Sequence, residues 1–173
     1  MDNQPVEKIA ETKFLKLMQR GKWSFVQRQS DVRIVAIVAV TDDRKLILVE
    51  QYRPPTDSRV IELPAGLAGD IPGQQTESLQ TAAERELLEE TGYTAKHWQF
   101  LATVTSSAGL TDERVAIFSA SDLLKTGPGG GDESEEITVH EIPLDELEDW
   151  IASQAATGLD VDSRVYAALH WAR

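Results

Sequence analysis

No cysteine occurs among the 173 residues of this chain. Disulfides, thiolate metal sites and cysteine nucleophiles are therefore excluded, and a reducing cytoplasm suits the composition. Three histidines, His97, His140 and His170, share no metal-ligand spacing and read as structural or surface residues. Long apolar runs are missing as well. The most apolar stretch, Ile34 to Val40, is far too short to span a bilayer. Met1 to Thr12 is polar and charged and does not have the build of a signal peptide. A soluble, cytoplasmic protein is expected. Positive charge is scarce: 17 Lys and Arg face 29 Asp and Glu, a formal net charge of -12. Such a surface repels phosphate backbones and anionic headgroups, so neither nucleic acid nor a membrane is an expected partner. A small phosphate-bearing ligand would have to be met by local arginines or by bound cations. An EF-hand is excluded too, because no Asp-x-Asp-x-Asp-Gly loop is present.

What is present suits one domain with a substantial core. Apolar residues make up 41% and charged residues 27%, which argues against wholesale disorder. Lys13 to Met18 and Trp23 to Arg28 read as a polar-rich hairpin around Arg20-Gly21. Ile34 to Val40 reads as a buried strand, with Lys45 to Gln51 as its hairpin partner across Asp42-Asp43. Further strands are predicted at Val60 to Leu63, Trp98 to Thr105, Val115 to Ala120 and Ile137 to Ile142. From Glu77 to about Glu90 the apolar residues Leu79, Ala83 and Leu87 recur at helical spacing. Thr76 is the predicted N-cap and Gly92 the stop. Two more helices are expected at Leu144 to Gln154 and Ser163 to Trp171. Short strands mixed with helices indicate an α/β or α+β sandwich with a mixed sheet.

The helix from Glu77 carries an unusual charge burden. Glu86, Glu89 and Glu90 project from one side of it, three and four residues apart, and lie in its last turn. Like charges at this spacing cost roughly 0.2–0.5 kcal/mol per pair. Acids at a helix C-terminus lose about 0.3–1 kcal/mol each against the dipole. A solvated acidic face relieved by Arg85 is one reading. A hard-cation site is the other, because Mg2+ takes oxygen ligands and is shared between carboxylates and substrate phosphates.

The surrounding residues favour the cation. Glu77, seven residues, then Arg85-Glu86-Leu87-Leu88-Glu89-Glu90-Thr91-Gly92-Tyr93, preceded by Glu62-Leu63-Pro64-Ala65-Gly66, resembles the Nudix box. One departure is the ten residues enclosed between Gly66 and Glu77, a loop about five residues longer than usual that a surface segment accepts cheaply. Outside the box, Gln51-Tyr52-Arg53-Pro54-Pro55, Ala108 to Glu113, Gly131 to Ile137 and Val161 to Tyr166 are similar to the ADP-ribose (ADP-sugar) pyrophosphatase branch.

That resemblance implies a Nudix α/β/α sandwich over residues 31–173. Residues 1–30 are expected to form an arm or hairpin, exchanged in a homodimer, that recognises the nucleoside. It implies Mg2+, with Mn2+ possible, held by Glu86, Glu89, Glu90, the main-chain carbonyl of Ala65 and a carboxylate such as Glu135. Glu133 or Glu135 is expected as base, reached through a loop that the glycines at 127 and 129–131 would let swing. Arg85 and Glu89 complete the expected catalytic set, with Arg85 bracing the carboxylates. Trp23, Arg28, Arg53, Glu62, Leu110 and Glu113 are the expected substrate residues, Trp23 stacking on a base and Arg28 and Arg53 gripping phosphate. The implied reaction cuts ADP-ribose or a related nucleoside diphosphate sugar into a nucleoside monophosphate and a sugar phosphate. Alternatives are GDP-mannose, a modified nucleoside triphosphate, or a non-catalytic nucleotide-sugar sensor.

Overall fold

A computed structural model describes residues 4–29, 32–71, 73, 75–131 and 136–172. Alternation along one strand sets the layers. In β4 (Arg33–Ala39) the residues Ile34, Ala36 and Val38 join one apolar cluster, while Val35, Ile37 and Ala39 join another on the opposite face. A strand buried on both faces needs neighbours on both edges and cover above and below. β4 has all of these. Its edges pair with β7 (Ala65–Ala68), antiparallel, and β9 (Arg114–Lys125), parallel, and β9 carries the antiparallel β8 (Tyr93–Thr105). One face packs on α1 (Leu79–Thr91) through Ala82, Ala83 and Leu87. The other meets a second sheet, β10 (Thr138–Pro143), β5 (Lys45–Arg53), β6 (Ser58–Glu62) and β11 (Asp160–Val161), together with α2 (Leu147–Ala156) and α3 (Ser163–Trp171).

The expected hairpin between Ile34 to Val40 and Lys45 to Gln51 is therefore corrected. Both edges of β4 are taken, so β5 enters the other sheet, and the two strands share only the bridge between Val40 and Leu46. The N-terminal hairpin exists as β2 (Leu15–Arg20) and β3 (Trp23–Arg28), and β1 (Val6–Glu11) extends it to three strands. This small sheet joins the main body where Val26 N–H donates to Leu110 C=O at 2.8 Å. β7 was not predicted, because Ala-Gly-Leu-Ala carries none of the β-branched or aromatic residues that announce a strand.

Two helix starts also differ. Ser78, not Thr76, caps α1, its hydroxyl accepting from Thr81 N–H at 3.0 Å, while Glu77 is turned inward before the helix begins. α2 opens at Leu147, after a turn in which Glu146 N–H donates to the Pro143 carbonyl at 3.0 Å. Gly92 ends α1 in the left-handed region at φ 73°, as the glycine stop requires. Among the described residues no helix is long and apolar enough to cross a membrane.

Candidate active site

The β6–β7 turn and the last two turns of α1 meet at one spot. α1 presents Glu86 and Glu90 inward, both buried, four residues apart on the face that packs against β7. Ala65 N–H donates to Glu90 Oε2 at 2.9 Å, tying the strand to the helix. Gly66 lies against Glu86 so closely that a Cβ there would come well under 3.0 Å from its carboxyl group. The glycine is required by that approach. It is a cradle for a carboxylate and not a turn.

Arg85 gathers the remaining acids. Its guanidinium donates to Glu86 Oε1 at 2.8 Å, Glu89 Oε2 at 3.0 Å, the Leu67 carbonyl at 2.8 Å and Glu77 Oε1 at 3.3 Å. Asp70 stands 3.6 Å away. Arg85 thus relieves the like-charge repulsion along α1 and pins the long loop to the helix. Burial alone would lower its pKa, but the bond to Glu77, the charge of Glu86 and the bond to Glu89 raise it. Glu77 is held below the ordinary carboxylate range by the Arg85 bond. Glu86 goes the other way: burial pushes it up to about 7, against the partial relief from Arg85.

Glu86 and Glu90 line a cleft of about 420 Å³ together with Arg28, Arg53, Arg164, Glu62, Glu113, Gln51, Asp70 and the Ala65–Gly66 backbone. Four of the sequence-derived substrate residues, Arg28, Arg53, Glu62 and Glu113, are brought together here. Arg28 Nε donates to Glu113 Oε1 at 2.8 Å and Arg53 Nε to Glu62 Oε2 at 2.7 Å. Glu89 is not among the lining residues; its half-exposed side chain is drawn to Arg85. Trp23 lies apart, exposed on β3, where it lines a neighbouring pocket of about 600 Å³ with Phe25, Gly109 and Asp112. Leu110 lies at that junction through its carbonyl, and its side chain is exposed. Glu133 and Glu135 fall outside the described residues.

The glycine run before them packs on the end of α1. Gly130 and Gly131 donate to the Glu90 and Glu89 carbonyls at 2.8 and 3.1 Å, closing the open end of α1. Gly129, at φ 69°, sits where a Cβ would strike Thr91 and the Glu90 carbonyl. Sequence reasoning missed Arg164, Asp162, Gln51 and Asp70. Arg164 had two available signals: the Val161 to Tyr166 segment that resembles the pyrophosphatase branch, and Asp162 as an N-cap before α3, which makes Arg164 the second residue of a helix but gives it no role in the cleft.

The donors available to a metal are all oxygens, the set that hard divalent cations take. Among the described residues no three carboxylates or imidazoles converge on one point. Glu86, Glu90 and the Ala65 backbone therefore fit such an ion as part of a shell, with water or substrate oxygens for the rest.

A layered mixed-sheet fold with a carboxylate-bearing helix against a glycine-cradled strand defines the class, and the family comparison agrees. Residues 31–166 match the NUDIX domain, and the chain belongs to that family. NUDIX hydrolases generally need a divalent metal. The chain is 36% identical over 118 residues to the methanol dehydrogenase activator of Bacillus methanolicus, covering 68% of this chain and 61% of that protein. It is 38% identical over 113 residues to the ADP-ribose pyrophosphatase of Bacillus subtilis (strain 168), covering 65% and 58%. The match therefore spans about six-tenths of the length of these curated relatives. A solved structure described as an ADP compounds hydrolase superposes with a TM-score of 0.67 at 27% identity, over 86% of this chain and 80% of that one.

Proposed function

We propose that the protein is a metal-dependent pyrophosphatase of nucleoside diphosphate sugars, with ADP-ribose as substrate and a nucleoside monophosphate and a sugar phosphate as products. The observation that carries this reading is the composition of the cleft. Two buried acids, Glu86 and Glu90, face the same space as three arginines, Arg28, Arg53 and Arg164, in a chain of net charge -12. Acids suit a cation, and Arg28 and Arg53 suit a diphosphate whose charge the rest of the surface repels. The names of the ADP-ribose pyrophosphatases among its relatives support the choice of nucleotide.

In this reading Glu86, Glu90, the Ala65 carbonyl, Glu89 and Glu135 hold Mg2+ or Mn2+. When bound, such an ion lowers the pKa of a water and offsets charge on the pyrophosphate oxygens. Arg28 and Arg53 grip the diphosphate. Arg85 keeps Glu86 and Glu89 in place, and Glu133 or Glu135 removes the proton of the attacking water. Trp23, on a separate wall, stacks on the base, with Leu110, Glu113 and Glu62 shaping the passage between them. Residues 1–30 form the arm that carries Trp23 and joins two copies into a homodimer, and the enzyme works in the cytoplasm on small molecules alone.

The test is a panel of ADP-ribose, GDP-mannose, diadenosine polyphosphates and nucleoside triphosphates, each with Mg2+ and with Mn2+. ADP-ribose is expected to give AMP and ribose 5-phosphate. Glu90→Gln keeps an oxygen to accept from Ala65 N–H, so the fold survives while turnover drops by about two or more orders of magnitude. Cleavage of triphosphates only would overturn the substrate, and no cleavage at all would leave a nucleotide-sugar sensor.

A further inference from the structure

Glu62 is one of the most buried charges in the molecule and is held by two arginines, one on each oxygen. Arg53 Nε donates to Oε2 at 2.7 Å, and Arg164 Nη2 reaches Oε1 at 3.4 Å. Arg164 is in turn clamped by Asp162: Nε to Oδ1 and Nη2 to Oδ2, both 2.8 Å, with the Arg164 backbone N–H on Oδ1 at 2.7 Å. Asp162 itself is fixed beside Glu62, since its N–H donates to the Ile61 carbonyl at 2.9 Å at the end of the β6–β11 pairing. A row of four charges, Asp162, Arg164, Glu62 and Arg53, thus runs from the C-terminal helix to the cleft.

Its consequence lies in how Arg53 is held. An unshared carboxylate takes an arginine by two parallel bonds, using up one edge of the fork. Here Glu62 has only one oxygen to give, and it takes Nε. The two terminal amino groups of Arg53 donate to no other carboxylate among the described residues, and the side chain is 41% exposed beside the cleft that Glu86 and Glu90 line.

We infer that Arg164, clamped by Asp162, is a positioning residue for substrate binding: by occupying Glu62 Oε1 it keeps Glu62 from closing on Arg53, so that the terminal amino groups of Arg53 stay presented to a diphosphate. This rests on the reading that the cleft takes a nucleoside diphosphate. Without Arg164, Glu62 turns both oxygens to Arg53 and draws its fork out of the cleft. Binding weakens while Glu86 and Glu90, which would hold the metal, are untouched.

The experiment is a double-mutant cycle read by calorimetric binding of ADP, which needs no turnover, and by steady-state kinetics on ADP-ribose. Arg164→Met is expected to weaken ADP binding about tenfold, the worth of one charge-assisted hydrogen bond, and to raise KM more than it lowers kcat. Arg53→Ala weakens ADP binding by itself, and adding Arg164→Met to it is expected to change nothing further. Asp162→Asn, which keeps a good N-cap for α3 and so protects the fold, is expected to shift ADP binding and KM in the same direction by a smaller factor. Additive losses from Arg53→Ala and Arg164→Met would mean that Arg164 touches the ligand itself, and a fall in kcat at constant KM would mean that it acts on the chemistry; either overturns the inference while leaving the proposed function standing. No binding of ADP by the unaltered protein overturns both.

Discussion

Gly66 and Glu86 show how a single atom decides this site. The carboxyl group of Glu86 fills the space that any other residue at 66 would need for its Cβ. Gly66→Ala is expected to destabilise the protein by about 1–3 kcal/mol, the usual range for overpacking a tight interior, and to remove activity by displacing Glu86; urea unfolding and turnover of ADP-ribose measure the two. Asp162 offers a pH test at the same scale. Burial raises its pKa, but the two-bond clamp of Arg164 outweighs burial and holds it below the ordinary value of 3.8. A carboxyl whose pKa is lower folded than unfolded stabilises the fold above the unfolded value, and that contribution disappears as pH falls through the folded one. The stability difference between the unaltered protein and Asp162→Asn, from urea midpoints, is therefore expected to be full near pH 7 and to shrink below about pH 4. A difference that stays constant down to pH 2 would show that Asp162 and Arg164 do not interact as a charged pair.

At the scale of elements, α1 is a helix that its own charge disfavours and its surroundings restore. Glu86, Glu89 and Glu90 stand at the end where the dipole opposes them, and no basic residue lies in its last turn. Arg85 neutralises from the side, and the Gly129–Gly131 segment closes the end with N–H groups on the Glu89 and Glu90 carbonyls. Gly129→Ala combines a forbidden φ with a steric strike on Thr91. It is expected to cost about 1–3 kcal/mol and to speed hydrogen exchange at the amides of Gly130, Gly131 and the last turn of α1. Unchanged protection at those amides would show that the glycine segment does not hold the helix end.

For the whole molecule, the three-stranded N-terminal sheet carries a concentration of exposed apolar side chains among the described residues. Val6, Ile9, Leu15, Leu17 and Trp23 are all exposed there, and β1 is exposed along its entire length. Leu15 and Leu17 lie on one face of β2 and would remain wet in a monomer. Sedimentation velocity is expected to show a dimer for the unaltered protein and a monomer for the Leu15→Asp, Leu17→Asp double variant, with the body of the fold intact by circular dichroism. A unaltered protein that sediments as a monomer at micromolar concentration would refute the exchanged arm.

The amino-acid sequence by itself settled the class of fold, the place and ends of α3, the glycine end of α1, the buried strand at Ile34 and the family, because these depend on local period, capping chemistry and a motif of fixed spacing. Tertiary structure decided what depends on edges and on distant neighbours. That β4 and β5 part company follows from both edges of β4 being filled by strands far along the chain. That Glu77 is buried moves the cap of α1 to Ser78. That Arg164 lies against Glu62, 102 residues away, has no trace in spacing or composition. Local interactions repeat at short intervals and leave a pattern in the chain. A long-range ion pair is made only when packing has brought its two ends together.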